Sequence, residues 1–221
     1  MPKGLTTTVC VTILLGLLSA APAAAQAADT VTVGSGTAPA GSIIDVPVSI
    51  RDASGTPLGI DQPPGSRIQS YALTVNYAPT ASVQSVTFTR GGLTASLTPA
   101  FESSPSSAGS ISLLDSFQES TNLIPFTLNA PLPGNQIAVL HVTVAPTATV
   151  GSTITLVLDP TLTQLTDQGG SASTKESVAN ANLVLVSGAI NVTTPVPALS
   201  TWALALLAIA LGAIAVFVGR R

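Results

Sequence analysis

Short runs of alternating apolar and polar residues recur along the chain between residues 29 and 192. A period of two places every second side chain on the same face, which is the pattern of a half-buried β-strand. The clearest run is 136–144, in which Ala138, Leu140 and Val142 point to one face. The other predicted strands are residues 29–34, 43–51, 68–77, 82–90, 110–115, 153–159, 162–165 and 183–192.

Turn-forming residues separate these runs, and no segment between residues 29 and 194 has a convincing helical period. About nine short strands with regular turn signals predict an all-β fold, a jelly-roll β-sandwich. Two irregularities stand out within the strands. Pro47 lacks a backbone donor and predicts an edge or bulge position. The step from Val83 to Val86 breaks strict alternation.

The first 27 residues have the three parts of a secretory signal peptide. Lys3 supplies positive charge, residues 9–18 form a short apolar core, and small residues follow. Ala25 and Ala27 occupy the −3 and −1 positions for cleavage directly after Ala27, and cleavage after Ala25 fits nearly as well. An uncleaved anchor is the alternative, although the apolar run is short for a membrane span.

The C-terminal segment reads as a membrane span. Residues 203–218 carry no charged or polar side chain, and the chain ends in Arg220 and Arg221. A helix over 202–219 would be about 27 Å long, close to the thickness of the hydrocarbon core. Trp202 suits one interface and the arginine pair the cytoplasmic one, so the preceding residues are expected outside.

A short motif precedes this span, after a linker at residues 193–195. Its order of parts resembles the IPTL-type sorting signal of bacterial surface proteins, Ile-Pro-Thr-Leu-Ser-x-Trp. Val for Ile and Ala for Thr are departures. The resemblance implies an exosortase-like membrane processing enzyme as partner, with the chain exported, anchored at the inner membrane, then delivered to the cell surface or the extracellular space. A plain tail anchor is the alternative. The matching residues are Val196, Pro197, Ala198, Leu199, Ser200 and Trp202.

The composition limits which partners, covalent bonds and metal sites the chain can have. The net charge is −3 and 8% of residues are charged, without a basic patch, so no nucleic-acid partner is expected. Cys10 is the only cysteine and lies in the signal peptide, so the mature chain has no disulfide or thiol chemistry. His141 is the only histidine and is predicted to lie on a strand face, which makes a zinc site very unfavourable.

The acidic residues do not predict an enzyme. Glycoside hydrolysis needs two carboxyl groups on one cleft. Weak calcium candidates are Asp159 and Asp167, which flank a turn, but hard cations prefer more oxygen ligands than two acids supply. No other metal or cofactor is expected. The acids that were considered are scattered among loops and strand ends: Glu102, Asp115, Glu119, Asp159, Asp167 and Glu176.

Four stretches in order resemble cohesin domains. They are the opening 31–50, the alternating 68–88, the run 136–158 and the close at 183–192. The resemblance covers residues 29–192 and implies a nine-stranded jelly roll, related to family 2 and 3 carbohydrate-binding modules, that binds a dockerin-like protein or a polysaccharide. Loops 52–67 and 116–135 are longer than in the family. Matching residues include Val31, Val33, Gly34, Gly41, Val46, Pro47, Val48, Ile50, Tyr71, Val75, Tyr77, Pro79, Ile137, Leu140, Val144, Gly151, Ile154 and Leu156.

Aromatic residues supply the remaining candidates for ligand contact. Tyr71 and Phe88 lie on strand faces and are predicted to be core, whereas Phe101, Phe117 and Phe126 lie in irregular segments and are predicted at the surface. The sequence therefore predicts an exported, non-catalytic binding module for protein docking, adhesion or matrix assembly. The alternatives are a carbohydrate-binding module linked to polysaccharide catabolism and a structural extracellular-matrix subunit.

Overall fold

The computed structural model describes residues 27–168, 174–194 and 209, and the described residues form fourteen strands. The predicted all-β sandwich is confirmed. The strands are β1 (Asp29–Val33), β2 (Gly36–Pro39), β3 (Ile43–Arg51), β4 (Ser70–Ala78), β5 (Val83–Arg90), β6 (Phe101–Ser103), β7 (Ser106–Ser107), β8 (Ser110–Ser116), β9 (Asn135–Val144), β10 (Thr153–Leu158), β11 (Gln164–Thr166), β12 (Lys175–Ser177), β13 (Leu183–Val186) and β14 (Gly188–Thr193).

These strands form two sheets. The five-stranded sheet has the order β13-β1-β3-β9-β5. In the nine-stranded sheet, β12-β11-β4-β10-β14-β2 form one path, and β8 pairs with β4 and carries β6 and β7. Strand β8 runs along one edge of β4, whereas β10 and β11 pair with successive parts of its other edge. Strand β4 is therefore the centre of the larger sheet.

The core lies between the sheets and follows the alternation of the sequence. Strand β9 contributes Ala138, Leu140, Val142 and Val144, as predicted, and each is buried. Strands β3 and β4 contribute their own alternating sets from the facing sheets. Such interdigitation of two inner faces is how a sandwich buries apolar area. Those sets are Val46, Val48 and Ile50 from β3, and Tyr71, Leu73 and Val75 from β4.

Both sequence irregularities coincide with bulges. The register between β5 and β9 shifts between Val83 and Ser85, where the alternation of apolar residues breaks. The register between β3 and β9 shifts between Val48 and Ser49, one residue beyond Pro47. An extra residue at a bulge moves the following side chains to the opposite face. The bulge in β5 therefore explains how Phe88 still reaches the core.

The predicted number of strands was too low. Strands β2, β6, β7 and β12 have two to four residues, too few for alternation to reveal them. The predicted last strand, 183–192, is two strands in different sheets, because the chain crosses from one sheet to the other at Ser187. The first strands, β1 and β2, cross between the sheets in the same way.

The terminal predictions fall outside this description. The predicted signal peptide and the predicted helix over 202–219 lie outside the described residues, except for residues 27 and 209. No helix among the residues that the structure describes is long and apolar enough to cross a membrane.

Candidate functional site

The outward side of the nine-stranded sheet, called here the outer face, carries small and uncharged side chains at its centre. Ala72 and Thr74 of β4 alternate with its core residues and lie on its outward side, where Ala72 is half-buried and Thr74 is buried. Their cross-strand partners on β8 are Leu114 and Ser112. Gln164 of β11 lies opposite Ala72 on the other side. Small side chains leave space for a partner to approach the sheet closely.

This part of the outer face forms a shallow depression of about 340 Å³. Its lining includes no charged side chain. A concave surface with mixed apolar and hydroxyl groups suits contact with a neutral partner group. The lining residues are Ala72, Thr74, Pro105, Ser112, Leu114, Thr161, Leu162 and Gln164.

Hydrogen bonds between hydroxyl groups hold the floor of the depression. The Oγ1 atom of Thr74 lies 2.8 Å from Oγ of Ser112. Further along the same two strands, the Ser70 hydroxyl donates to Oγ of Ser116 at 2.7 Å. Because these groups satisfy one another, the floor needs no charged partner and its side chains have fixed orientations.

Exposed apolar side chains surround this neutral floor. Leu162 is 56% exposed on the rim, and Val157 of β10 is 44% exposed. Phe101 of β6 is 56% exposed and lies opposite Ser116, an outward residue of β8. The outer face therefore presents several apolar side chains, the feature that marks contact surfaces on soluble domains.

Asp159 fixes the turn that presents Leu162. Its Oδ1 accepts backbone hydrogen bonds from Thr161 and Leu162 at 2.9 and 3.0 Å, and its Oδ2 accepts from Asn76 at 3.2 Å. The two backbone hydrogen bonds lower the pKa of Asp159. The other weak calcium candidate, Asp167, accepts a hydrogen bond from the Thr174 backbone N–H at 3.0 Å. In the described part of the chain, no three His, Cys, Asp or Glu side chains are placed to hold a metal ion.

Two of the three aromatic candidates are not at the surface. Phe117 is 0% exposed and Phe126 is 7% exposed, so their predicted surface position was wrong. The segment between β8 and β9 folds back onto the sandwich, where the backbone N–H of Phe117 donates to the Gln69 carbonyl at 2.8 Å. The Phe117 ring lies 6.3 Å from that of Tyr71. Ligand contact by the exposed Phe101 stays a prediction.

A buried acid lies beneath this end of the outer face. Asp115 of β8 is 2% exposed, and its Oδ2 accepts a hydrogen bond from the Tyr71 hydroxyl at 2.7 Å. Burial raises the pKa of Asp115 to about 6, although the Tyr71 hydrogen bond acts in the opposite direction. Burial and the neighbouring Asp115 raise the pKa of Tyr71. The pair is structural, because neither side chain reaches solvent.

A row of polar side chains on the other sheet was not predicted from the sequence. His141 lies on the outward side of β9, as predicted, with Nδ1 2.6 Å from Oδ1 of Asp45 and Nε2 2.8 Å from Oγ1 of Thr89. Carboxylate, imidazole and hydroxyl in line resemble a hydrolytic triad. Backbone N–H groups lie in the plane of a sheet, so none points above this face to stabilise an oxyanion. Cross-strand pairing was the missing information.

A second depression, of about 420 Å³, lies among loops beside β11. Arg67 and Glu119 form an ion pair across it, with Nη1 3.4 Å from Oε1. Glu119 also accepts the Gly65 backbone N–H at 2.7 Å. These contacts tie two long loops together, which assigns the charged pair a structural role. The lining residues are Pro64, Arg67, Glu119, Ser120 and Gln168.

Known structures share this arrangement of sheets. The third cohesin of ScaC from Acetivibrio cellulolyticus, solved with the ScaB dockerin, aligns with a TM-score of 0.54 at 18% identity, covering 75% of this chain and 99% of that one. The sixth cohesin of scaffoldin B from the same organism, solved with the Cel5 dockerin, gives 0.51 at 14% identity, with 75% and 99% covered. The OlpC cohesin of Clostridium thermocellum, also solved with a dockerin, gives 0.51 at 15% identity, with 78% and 97% covered.

At the level of sequence, a family model matches the C-terminal segment. Residues 194–221 match the IPTL-CTERM motif, which confirms the resemblance seen in that segment. No curated protein matches the chain significantly. The described domain therefore has the cohesin fold, and the segment that follows it carries an IPTL-CTERM motif.

Proposed function

We propose that this chain is an exported, non-catalytic docking module whose contact surface is the outer face of the nine-stranded sheet. The observation that carries the proposal is the uncharged depression with Leu162 exposed on its rim. Removing such a side chain from water favours association, and small neutral neighbours add no desolvation penalty for charge. The three solved cohesins compared above were solved with dockerins, so a dockerin-like protein is the first partner to test.

A carbohydrate-binding module is the second candidate, and Phe101 is the observation that favours it. An exposed aromatic ring next to hydroxyl-bearing side chains can stack on a sugar while the hydroxyls bind its polar edge. Phe101 is the one phenylalanine among the three candidates that remains accessible. A single ring makes a smaller platform than a row of them, so protein docking stays the primary proposal.

The C-terminal segment supports the proposed route to the cell surface. Matching the IPTL-CTERM motif at residues 194–221 supports processing by an exosortase-like membrane enzyme. We propose that the apolar segment holds the exported domain at the inner membrane until that processing step. The domain would then act at the cell surface or in the extracellular space.

The test uses purified dockerin modules, a panel of soluble polysaccharides and three variants of this chain. Leu162→Asp adds a charge to the rim, Phe101→Ala removes the ring, and Ile43→Asp is the matched control. Ile43 is 68% exposed and lies on the other sheet. For docking, Leu162→Asp weakens dockerin binding at least about tenfold in calorimetry, the range of an interface hot spot, while Ile43→Asp leaves it unchanged.

Other outcomes separate the remaining candidates. If the domain binds one class of polysaccharide and Phe101→Ala abolishes that binding, the result would favour carbohydrate binding over protein docking. Equal losses in Leu162→Asp and Ile43→Asp would show that the outer face is not the contact surface. Self-association in sedimentation velocity, with nothing bound in either panel, would favour a structural matrix subunit.

A further inference from the structure

Two acidic side chains from different sheets meet inside the sandwich. Asp29 begins β1 in the five-stranded sheet, and Glu176 is the central residue of β12 in the nine-stranded sheet. Both are 0% exposed. An ionised carboxylate in such a place is costly unless its charge is compensated. These two residues are called the acid pair below.

Each member of the acid pair has one oxygen with a donor and one without. Oδ1 of Asp29 accepts the Ala53 backbone N–H, and Oε1 of Glu176 accepts the Leu58 backbone N–H, both at 2.8 Å. The second oxygens, Oδ2 of Asp29 and Oε2 of Glu176, are buried and receive no hydrogen bond from a described group. The two side chains are nevertheless within hydrogen-bonding reach of each other.

Two ionised carboxylates cannot hydrogen-bond, because both are acceptors only. One proton between the two remaining oxygens turns this repulsive contact into a strong hydrogen bond and halves the buried charge. The pairing of two acceptor oxygens in a dry site is therefore explained by a proton that belongs to both side chains. In aspartic dyads, two adjacent carboxyl groups likewise hold one proton, because ionising both would place two negative charges side by side.

The neighbouring charges reinforce this requirement. Asp52, also 0% exposed, acts on both members of the acid pair, and Asp61 acts on Asp52. All of these groups are acids, so their charges oppose ionisation of the pair. Burial, followed by the hydrogen bond and the charge of Glu176, raises the pKa of Asp29 to about 9. Burial also raises the pKa of Glu176, against the hydrogen bonds from Asp29 and Leu58.

We propose that Asp29 and Glu176 share one proton, and that this proton joins the two sheets and the loop between Ala53 and Leu58 into a contact that opens in alkali. When the proton passes to solvent, two adjacent carboxylates repel each other. The contact between the two side chains and the two backbone hydrogen bonds from the loop then weaken together. The domain is consequently more stable at acidic and neutral pH than at alkaline pH.

Proton linkage determines whether the stability that the acid pair contributes rises or falls with pH. Because the folded state binds this proton more tightly than the unfolded chain, its contribution is complete below the unfolded value near pH 4 and is lost as pH rises to about 9. Asp115 has the same sign but is mostly ionised by about pH 7, because its pKa is about 6. Measurements between pH 7 and 9.5 therefore report on the acid pair.

The test measures hydrogen exchange of the peptide that contains Ala53 and Leu58, in the full-length chain in detergent micelles. Protection is referenced at each pH to the exchange rate of the unstructured peptide. We expect protection in the unsubstituted protein to fall at least about tenfold between pH 7 and 9.5. Asp29→Asn and Glu176→Gln place an amide donor opposite the remaining carboxylate, so protection in both variants stays nearly constant. Glu102→Gln, an exposed acid elsewhere, is the control and follows the unsubstituted protein.

A carboxyl titration covers the case in which the variants fail to fold. Carbon-13 NMR of labelled aspartate and glutamate in the unsubstituted protein is expected to show a buried carboxyl that titrates above pH 7. The absence of such a carboxyl, or an undiminished fall in protection in Asp29→Asn, would overturn the proposal. Protection at pH 9.5 that is restored by calcium chloride and removed by a chelator would also overturn it, because a cation would then join the carboxylates.

Discussion

Asp115 illustrates how one ionisable side chain makes the stability of the sandwich depend on pH. Among the residues that the structure describes, only the Tyr71 hydroxyl hydrogen-bonds to its carboxyl group, at 2.7 Å, and Oδ1 is buried without a partner. Burial therefore outweighs this hydrogen bond, and the pKa rises from the ordinary 3.8 to about 6. A shift of this size corresponds to about 3 kcal/mol of pH-dependent stability.

Replacing Asp115 by Asn is expected to remove this dependence. In the unsubstituted protein, the contribution is complete below about pH 4 and disappears as pH rises to about 6, because the folded state binds the proton more tightly. Urea unfolding at pH 4 and 6.5 should show a fall about 2 kcal/mol smaller in Asp115→Asn than in the unsubstituted protein, because at pH 4 the unfolded chain is already partly ionised. Asp61→Asn, at an exposed aspartate, should keep the original fall. An identical fall in Asp115→Asn would contradict the assignment.

At the scale of elements, the two ends of the domain change sheets side by side. Strand β13 pairs in parallel with β1, and β14 pairs in parallel with β2, so both segments cross between the sheets at neighbouring points. At this crossing, a Cβ on Gly188 would lie 1.9 Å from the Gly34 carbonyl oxygen. Only glycine allows the two backbones to approach this closely.

Gly188→Ala is therefore expected to destabilise the domain by about 3 kcal/mol, the upper part of the range for overpacking. The contact involves backbone atoms of both segments, so no side chain can move aside. Gly55→Ala is the control: its φ is +86° and a Cβ would meet nothing within 4 Å, so only backbone strain of about 1 kcal/mol is expected. Denaturant midpoints measure both variants. Equal losses would show that close approach at Gly188 does not matter.

The whole molecule combines a β-sandwich domain of the cohesin fold with a C-terminal segment that carries the IPTL-CTERM motif. All fourteen described strands lie between Asp29 and Thr193, and the IPTL-CTERM match begins at residue 194. The proposed contact surface belongs to the nine-stranded sheet, whereas the sorting motif belongs to the segment after its strand β14. Changes to delivery and to binding should therefore be separable.

Substitution of the motif should affect delivery alone. The double variant Pro197→Ala, Trp202→Ala is expected to accumulate as the larger, membrane-associated form, because both residues belong to the motif that the proposed processing enzyme would recognise. Thr201→Ala, at the unspecified position of the motif, should be processed normally. Immunoblots of membrane and extracellular fractions measure both. Normal processing of the double variant would contradict a sorting role for the motif.

The limits of prediction are visible in individual segments. Alternation located β3, β5 and β9 almost to the residue, because one buried face constrains every second side chain. Phe117 and Phe126 were misplaced, since a segment without periodicity does not reveal whether it folds over the core. The acid pair was missed because Asp29 and Glu176 are far apart in sequence and carry no local motif. The outer face became visible only when the strand order placed β4 between β8 and β11.

The sequence by itself determined the all-β class, most strands, the core residues that the longer strands contribute and the C-terminal motif. Each of these depends on local order: hydrophobic period, turn chemistry or a short linear pattern. The tertiary structure alone decided the sheet order, the crossing at Gly188, the neutral depression and the burial of Asp115 and the acid pair. These features depend on contacts between residues that are distant in the chain. The local pattern of side chains does not predict which strands become neighbours.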